Sequence, residues 1–421
     1  THDYGQTWTK ITSGLPHTQV SYAHCVIEDP THQGLLYLGT EGGAYVSFND
    51  GGEWQPLQMN LPHAPVYWLT VQNRRHDLVA ATYGRGFWIL DNLLPLEQFT
   101  PEVAASEAHL FAPRSEYRFR GGVSPISPGY EPSAGENAPG GAAIDYFLKT
   151  AVRGQVAIKV LDAAGKLVAT VPGAGRAGIN RVYWNLRNQP SPTVRLRTLS
   201  PYAPDQTLNA QGWRAAPNSR PLTIMAPPGN YTVELTAGGT TQKQSLTLLK
   251  DPHSDGTAAD IAAQTKLAES ILDEYNRVTG AINQIEVIRA QLATVSESLG
   301  ADASGPAAVD NAAAVAKSAA ALDAKLVTVE SDLYNTKATG KGEDQWRWAP
   351  TLIDKLSYLE SEVTSSDFAP TEQQAAVSTE LAQEVASHRT RLDQLVNTDV
   401  AAFNASLREK KIPNVIAGGG Q

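Results

Sequence analysis

Thr1-His2-Asp3-Tyr4-Gly5-Gln6-Thr7-Trp8 opens the chain, and Ser47-Phe48-Asn49-Asp50-Gly51-Gly52-Glu53-Trp54 repeats its pattern. Aligned on Gly5 with Gly51 and on Trp8 with Trp54, the copies lie 46 residues apart. Leu15-Pro16-His17 returns as Leu61-Pro62-His63 at the same offset. A turn motif recurring every ~40–50 residues marks a β-propeller with one blade per repeat. Within each repeat the motif has a mechanical reading. Asp3, or Asn49 in the second copy, accepts backbone N–H groups and closes a turn between the third and fourth strands. Gly5 and Gly51 permit positive φ. Trp8 and Trp54 cover apolar surface beside a neighbouring blade. Asp3 and Asp50 are therefore poor catalytic candidates.

Working outward, Val20–Glu28, Leu35–Thr40, Ala44–Asn49 and Trp54–Leu57 alternate as the four strands of one blade. A second set runs through Val66–Gln72, Leu78–Tyr83 and Phe87–Asp91, with a poorer fourth strand expected near Leu96–Phe99. Residues 1–100 thus read as about two terminal propeller blades, and residues 101–143 as a linker with one or two strands in Ala108–Phe119 and a long Gly/Pro/Ser loop over Gly121–Gly141. Residues 144–250 read as a small β-sandwich. Its strands include Asp145–Leu148, Val156–Val160, Arg181–Trp184 and Tyr231–Leu235, with a hairpin loop at Asp162–Lys166 and a turn at Pro227–Asn230. Residues 251–412 read as an antiparallel helical bundle. Asp255 or Thr257 caps the first helix, Pro306, Pro350 and Pro370 open the others, and 413–421 is a flexible tail. The first helix carries a stripe through Leu267, Ile271, Tyr275, Val278, Ile282, Ile285 and Leu292. The last carries Val377, Leu381, Val385, His388, Leu392, Leu395, Phe403 and Leu407. The fold class is multidomain β plus α.

Composition narrows the function classes. The 421 residues carry 34 Lys and Arg against 43 Asp and Glu, a net charge of −9 without a basic tract, so nucleic-acid binding is not expected. No stretch approaches 18 uninterrupted apolar residues, so no membrane span is expected. Cys25 is the only cysteine, which excludes an intrachain disulfide and a thiolate zinc site; in its strand it reads as a small core hydrophobe. No P-loop, dinucleotide fingerprint or Ser-His-Asp order is found, and no cofactor or metal is expected.

Candidate ligand residues lie on the loops between second and third strands, at the opposite end of each blade from the Asp-type turns. They are Glu41 in Thr40–Gly43, and Tyr83 and Arg85 in Thr82–Gly86. A planar guanidinium beside a phenol suits carboxylate or sugar contacts. The alternative is a tight hairpin at Gly84 and Gly86 with Arg85 paired to a neighbouring blade. Glycoside hydrolysis needs two carboxylates about 5–9.5 Å apart; Glu41 supplies one, and no partner for it is evident in the sequence. Trp346 and Trp348 form an aromatic pair that either stacks on sugar rings or plugs the end of the bundle. His24, His63 and His253 are scattered, and His388 falls on the apolar face of the last helix, where it reads as a bundle residue.

Several segments together resemble the C-terminal part of large bacterial BNR/Asp-box repeat, sortilin-type "glycosyl hydrolase"-like proteins. The resemblance rests on the two Asp boxes, Ala81-Thr82-Tyr83-Gly84-Arg85-Gly86-Phe87-Trp88-Ile89-Leu90-Asp91, Ala108-His109-Leu110-Phe111, Gly178–Arg187 and Lys250-Asp251-Pro252. The sandwich segments are similar to the immunoglobulin-like fold of flagellar hook-capping proteins. The resemblance implies the order propeller, sandwich, helices, and export to the periplasm or beyond the cell. It carries no catalytic residue onto these positions. Because the first Asp box stands first, the chain is expected to begin inside a blade and to pair with missing N-terminal blades or another copy of itself. The function expected is a binding or scaffold module for a glycan or peptide. The alternative is part of a glycoside hydrolase whose carboxylates lie mainly upstream.

Overall fold

The computed structural model describes residues 1, 3–18, 21–120, 135, 137–154, 156–302 and 306–417. Most of the loop expected over Gly121–Gly141 and the tail from Gly418 lie outside the described residues. The protein is mixed β plus α, with several antiparallel sheets and a C-terminal helical region. It divides into two compact units: Thr1–Leu186 with Pro228–Leu249, and Arg187–Pro227 with Lys250–Gln421. Residues 187–227, which the sequence pattern assigns to the β-sandwich, group with the helices.

In the first unit, strands β1 (Ala23–Glu28), β2 (Leu36–Thr40), β3 (Gly43–Ser47) and β4 (Gln55–Pro56) form an antiparallel meander. A second meander contains β5 (Val66–Gln72), β6 (Asp77–Thr82) and β7 (Phe87–Leu90). Alternating side chains from both meet in one core, in which Leu35, Tyr37, Val66 and Leu93 are fully buried. The strand expected near Leu96–Phe99 is not formed. Two short helices stand there instead, α1 (Leu94–Glu97) and α2 (Pro101–Ala105). The local chemistry explains the difference: Pro95 and Pro101 occupy first-turn positions, and the Thr100 hydroxyl caps α2 by accepting from Val103 N.

The rest of this unit is two further sheets. One has the order β13 (Gly178–Trp184), β10 (Ala142–Leu148), β8 (Ala108–Leu110). The other has five strands, and β9 (Glu116–Arg118), β11 (Val156–Leu161) and β12 (Leu167–Gly173) belong to it. Strands β14 (Arg195–Leu196) and β15 (Arg214–Ala215) intervene in sequence and belong to the second unit. Then β16 (Gly229–Ala237) and β17 (Thr240–Lys250) complete the order β12-β11-β16-β17-β9. Val156, Ile158 and Val160 on β11 and Tyr231, Val233 and Leu235 on β16 are buried at period two. Trp184 from one sheet meets Tyr231 from the other at 5.3 Å between ring centroids. The β11–β12 hairpin closes on Asp162, whose Oδ1 accepts from Ala164 N and Lys166 N.

A buried polar cluster joins these sheets to the β5–β7 meander. Arg181 on β13 donates to Asp145 on β10 at 2.6 Å and to the carbonyls of Asp91 and Asn92 at 2.8 and 3.0 Å. Asn92, at φ +60°, donates its side-chain amide to Asp145 at 2.8 Å and its backbone N–H to Asp77 at 2.9 Å. Arg114 extends the chain of contacts from Asp77 to Glu116, which also binds Arg75. Burial pushes the Asp145 carboxyl up, and Arg181 pulls it back.

The second unit is built on α3 (Ala258–Asp302), 45 residues long, or about 65 Å of helix. The further helices are α4 (Pro306–Leu333), α5 (Asp344–Arg347), α6 (Leu352–Val363), α7 (Glu372–Gln394) and α8 (Ala401–Glu409), with a π-helical segment at Leu395–Val400 between the last two. Three helices start on the same device. Thr257 with Asp260, Thr351 with Asp354 and Thr371 with Gln374 are reciprocal capping boxes. Thr257, not Asp255, therefore caps α3, and Pro350 and Pro370 stand just before their caps. The stripe on α3 is buried at Ile271, Tyr275, Val278, Ile282, Ile285 and Leu292. On α7 and α8 it holds at Leu381, Val385, Leu392, Phe403 and Leu407, whereas Val377 is exposed.

Arg181→Met leaves the Asp145 charge buried without its cation. It should destabilise the protein by about 3 kcal/mol at pH 7, read as a shifted urea midpoint. Adding Asp145→Asn should recover part of the loss, and a loss under about 1 kcal/mol would contradict the cluster's role.

Candidate functional site

The two Asp-type motifs form the same turn. In the first, Asp3 Oδ1 accepts from Thr7 N at 2.9 Å and Oδ2 from the Thr7 hydroxyl at 2.7 Å, while the Thr1 hydroxyl accepts from Gly5 N. In the second, Asn49 Oδ1 accepts from Glu53 N at 2.8 Å and the Ser47 hydroxyl accepts from Gly51 N. Tyr4 and Asp50, each at φ +57°, and Gly5 and Gly51 hold the left-handed conformation at matching positions. The indoles differ. Trp54 is buried and donates to Ile11 O at 2.8 Å, whereas Trp8 is exposed and donates to Gly5 O at 3.2 Å.

The loops between the second and third strands carry the sequence-predicted residues Glu41, Tyr83 and Arg85. Each meander contains a β-bulge at the start of its first strand. Pairing steps from Ala23 with Thr40 to Cys25 with Gly39 in one, and from Val66 with Thr82 to Trp68 with Ala81 in the other. The extra residues are His24 and Tyr67. A bulge re-aims the side chain it carries, and these two rings meet at 4.2 Å between centroids. The loops that follow the second strands match as well: Thr40 and Thr82 each close them with a hydroxyl donated to a glycine carbonyl, Gly43 and Gly86. The residues after those threonines are Glu41 and Tyr83. Their backbone N–H groups donate to Tyr22 O and Pro65 O.

The result is a contact chain across both repeats. Glu41 lies 2.7 Å from His24 Nε2. His24 touches Tyr22 at 5.3 Å and Tyr67, and Tyr67 touches Tyr83 at 5.8 Å, both contacts edge-on. Tyr22, Tyr67 and Tyr83 are all exposed, and so is Trp68 beside them. The negative charge of Glu41 pushes the Tyr22 hydroxyl up, with desolvation adding to it. Next to this ridge a cleft of about 290 Å³ is lined by Leu15, Pro16, Tyr45 and His63, with Thr40 and Gly42 on either side of Glu41.

Of the residues predicted from sequence, Glu41 and Tyr83 are brought together. Arg85 is exposed in the same loop, its carbonyl taken by Trp88 Nε1 at 3.0 Å, and the described contacts of the ridge do not include it. Trp346 and Trp348, in the second unit, separate: Trp346 is exposed, and Trp348 packs 6.4 Å from Tyr202 with Lys337 Nζ 4.9 Å above its ring. His388 Nδ1 is 3.8 Å from Asp332. Sequence reasoning passed over the ridge members Tyr22, His24 and Tyr67. Their signal is the alignment of both bulges on the repeat, which needs the strand register. Burial pushes the Cys25 thiol up, as for a packed thiol. Among the described residues no group of three or more His, Cys, Asp or Glu is placed to hold a metal ion, and no helix is long and apolar enough to cross a membrane. In comparison with known proteins, the chain matches no family model, no curated protein and no solved structure.

The Asp3 turn makes a pH prediction. The Thr7 backbone and hydroxyl, with Thr1, hold the Asp3 carboxyl down at about 2. A folded value below the ordinary 3.8 means the brace is fully present above pH 3.8 and is lost as pH falls through about 2. Carbonyl-carbon NMR should show Asp3 titrating near pH 2 with parallel movement of the Thr7 amide; titration at 3.8 would exclude the brace.

Proposed function

We propose that the chain is a binding module of a BNR-repeat propeller protein, and that its Glu41–His24–Tyr67–Tyr83 ridge contacts a carbohydrate or peptide ligand. The observation that carries this reading is the repeated cassette. Two meanders with the same bulge and the same Thr-closed loop place exposed aromatic rings around one carboxylate. Aromatic faces stack on the apolar face of a sugar or on peptide side chains, and the carboxylate accepts their hydroxyl or amide hydrogens. The 46-residue repeat and the matching turns support the propeller reading, and the paired antiparallel sheets support an immunoglobulin-like sandwich. Export is the localisation that the family resemblance supports.

Strand β7 is the edge of its meander. Phe87 and Ile89 on it are 80% and 60% exposed. An edge strand with apolar side chains is a template for further strands. We place the partner there, as further propeller blades or a second copy of the chain.

A glycan and peptide array on the protein, followed by calorimetry on the best ligand, tests the reading. Tyr67→Ala and Tyr83→Ala should each weaken binding by about 1 kcal/mol, roughly fivefold, with the circular dichroism unchanged. Undiminished affinity in the double variant would refute the ridge. Turnover of a bound glycoside, abolished by a single carboxylate change, would favour a glycoside hydrolase over a binding module.

A further inference from the structure

The repeat leaves a strand without a sheet in one place and a sheet without a strand in another. In the first meander β4 is the outermost strand, with Tyr45 opposite Pro56, Val46 opposite Gln55, and Leu57 N donating to Ala44 O at 2.9 Å. The 46-residue repeat makes Trp8, Thr9, Lys10 and Ile11 the counterparts of Trp54, Gln55, Pro56 and Leu57. Residues 8–11 nevertheless belong to no strand. Trp54 is 3% exposed and Leu57 packs against the meander core, whereas Trp8 is 79% exposed and Ile11 is exposed as well. The segment is still held in place. Ile11 O accepts from Trp54 Nε1 at 2.8 Å, and its side chain lies so close over Gly51 that a Cβ there would meet Ile11 Cδ1 at 2.6 Å.

Strand β7 has the opposite defect. Ala44, Tyr45 and Val46 on β3 correspond to Phe87, Trp88 and Ile89 on β7, since Ala44 pairs with Gly39 and Phe87 with Ala81, each the residue before a loop-closing threonine. β3 has β4 beside it, but among the described residues no strand pairs with the outer side of β7. An apolar groove at that edge is lined by Leu57, Met59 and Leu61 together with Trp88, Ile89 and Leu90. The sheet face is bare too. Cys25, Ala44 and Val46 of the first meander lie against the second. Their counterparts Trp68, Phe87 and Ile89 are exposed.

We propose that a second copy of the chain fills this edge: residues 8–11 of one copy add to β7 of the next as its fourth, antiparallel strand. The register is that of β4 on β3, which puts Thr9 opposite Ile89 and Lys10 opposite Trp88. Backbone groups make the ladder, and Trp8 and Ile11 bring apolar surface to the bare edge. Donor and acceptor lie on different meanders, so the contact is head-to-tail and repeats until a ring closes. Each copy contributes two meanders. Propellers close at about four to eight blades, so about two to four copies complete the ring. The proposal rests on the propeller reading of the meanders and is independent of the ligand of the ridge.

Sedimentation velocity on the full chain over a dilution series should show a closed oligomer of about two to four copies in exchange with monomer. Thr9→Pro removes a backbone donor from an exposed segment outside any strand. It should leave the circular dichroism of the dilute chain unchanged and weaken self-association at least about tenfold. Ile89→Lys, a charge on the bare edge, should do the same. Register is read by mixing two Cys25→Ala chains, one also carrying Thr9→Cys and the other Ile89→Cys, with glutathione disulfide as oxidant; a disulfide-linked heterodimer is expected. A chain monomeric at every concentration, an oligomer untouched by Thr9→Pro, or a disulfide formed only within one chain bearing both cysteines would each overturn the strand exchange. Heterodimer disulfides within fibres that grow without limit would uphold the added strand and refute the propeller on which the ring depends.

Discussion

The first unit depends on one buried ion pair, Arg181 with Asp145. The four sheets carry two hydrophobic groups, one around Tyr37 and Leu93 and one around Trp184 and Tyr231, which Phe48, Phe99 and Phe147 also connect through edge-on and tilted ring contacts. Arg181 reaches from the second group to the last turn of the first, where Asp91 and Asn92 offer their carbonyls. Taking both charges out of water costs several kcal/mol, and a well-packed apolar pair would hold the sheets as firmly. What the polar cluster adds is register. A guanidinium fork meets two carbonyls and a carboxylate in one geometry, whereas apolar surfaces slide. Asn92 at positive φ is part of that geometry, because it turns its backbone N–H to Asp77 and its amide to Asp145.

Much of the fold is legible in the sequence because its signals are local. Alternation places β5 and β11 within a residue, and glycine with Asp or Asn places the turns. Three- and four-residue steps give the buried face of α3. The failures come from one short ambiguous segment and from non-local pairing. The segment Leu96–Phe99 is too short to separate strand from helix by period, and Pro95 and Pro101 decide it. Strands β12 and β17 mix polar and apolar residues, because Leu167 lies on an edge strand and Lys243 pairs outward with Glu234. Glu41 and Tyr83 follow from loop position. His24 and Tyr67 do not, since a bulge is a property of two strands and is written in neither.

The helical unit shows the same division. Glu286 and Arg289 sit beside Ile285 and Ile288 on α3, as though charges had strayed onto a buried stripe. Glu330 likewise neighbours Val329. A charge next to a core position is the sequence-level trace of a buried polar site, but only the facing helix reveals whether it is answered. Here Arg289, bonded to both Glu286 and Glu330, answers it.

The course of the chain bears on how such a protein is inherited and cut. It leaves the β unit after Leu186, spends 187–227 with the helices, and returns for Pro228–Leu249 before leaving again. Strand β16, which pairs with β11, is therefore made only after that excursion. No single excision yields either unit whole: ending the gene at residue 227 strips β16 and β17 from the five-stranded sheet, and beginning it at 250 strips β14 and β15 from the helices. Recombination that shuffles modules at one junction would therefore break both units, because each is assembled from two separate stretches of chain.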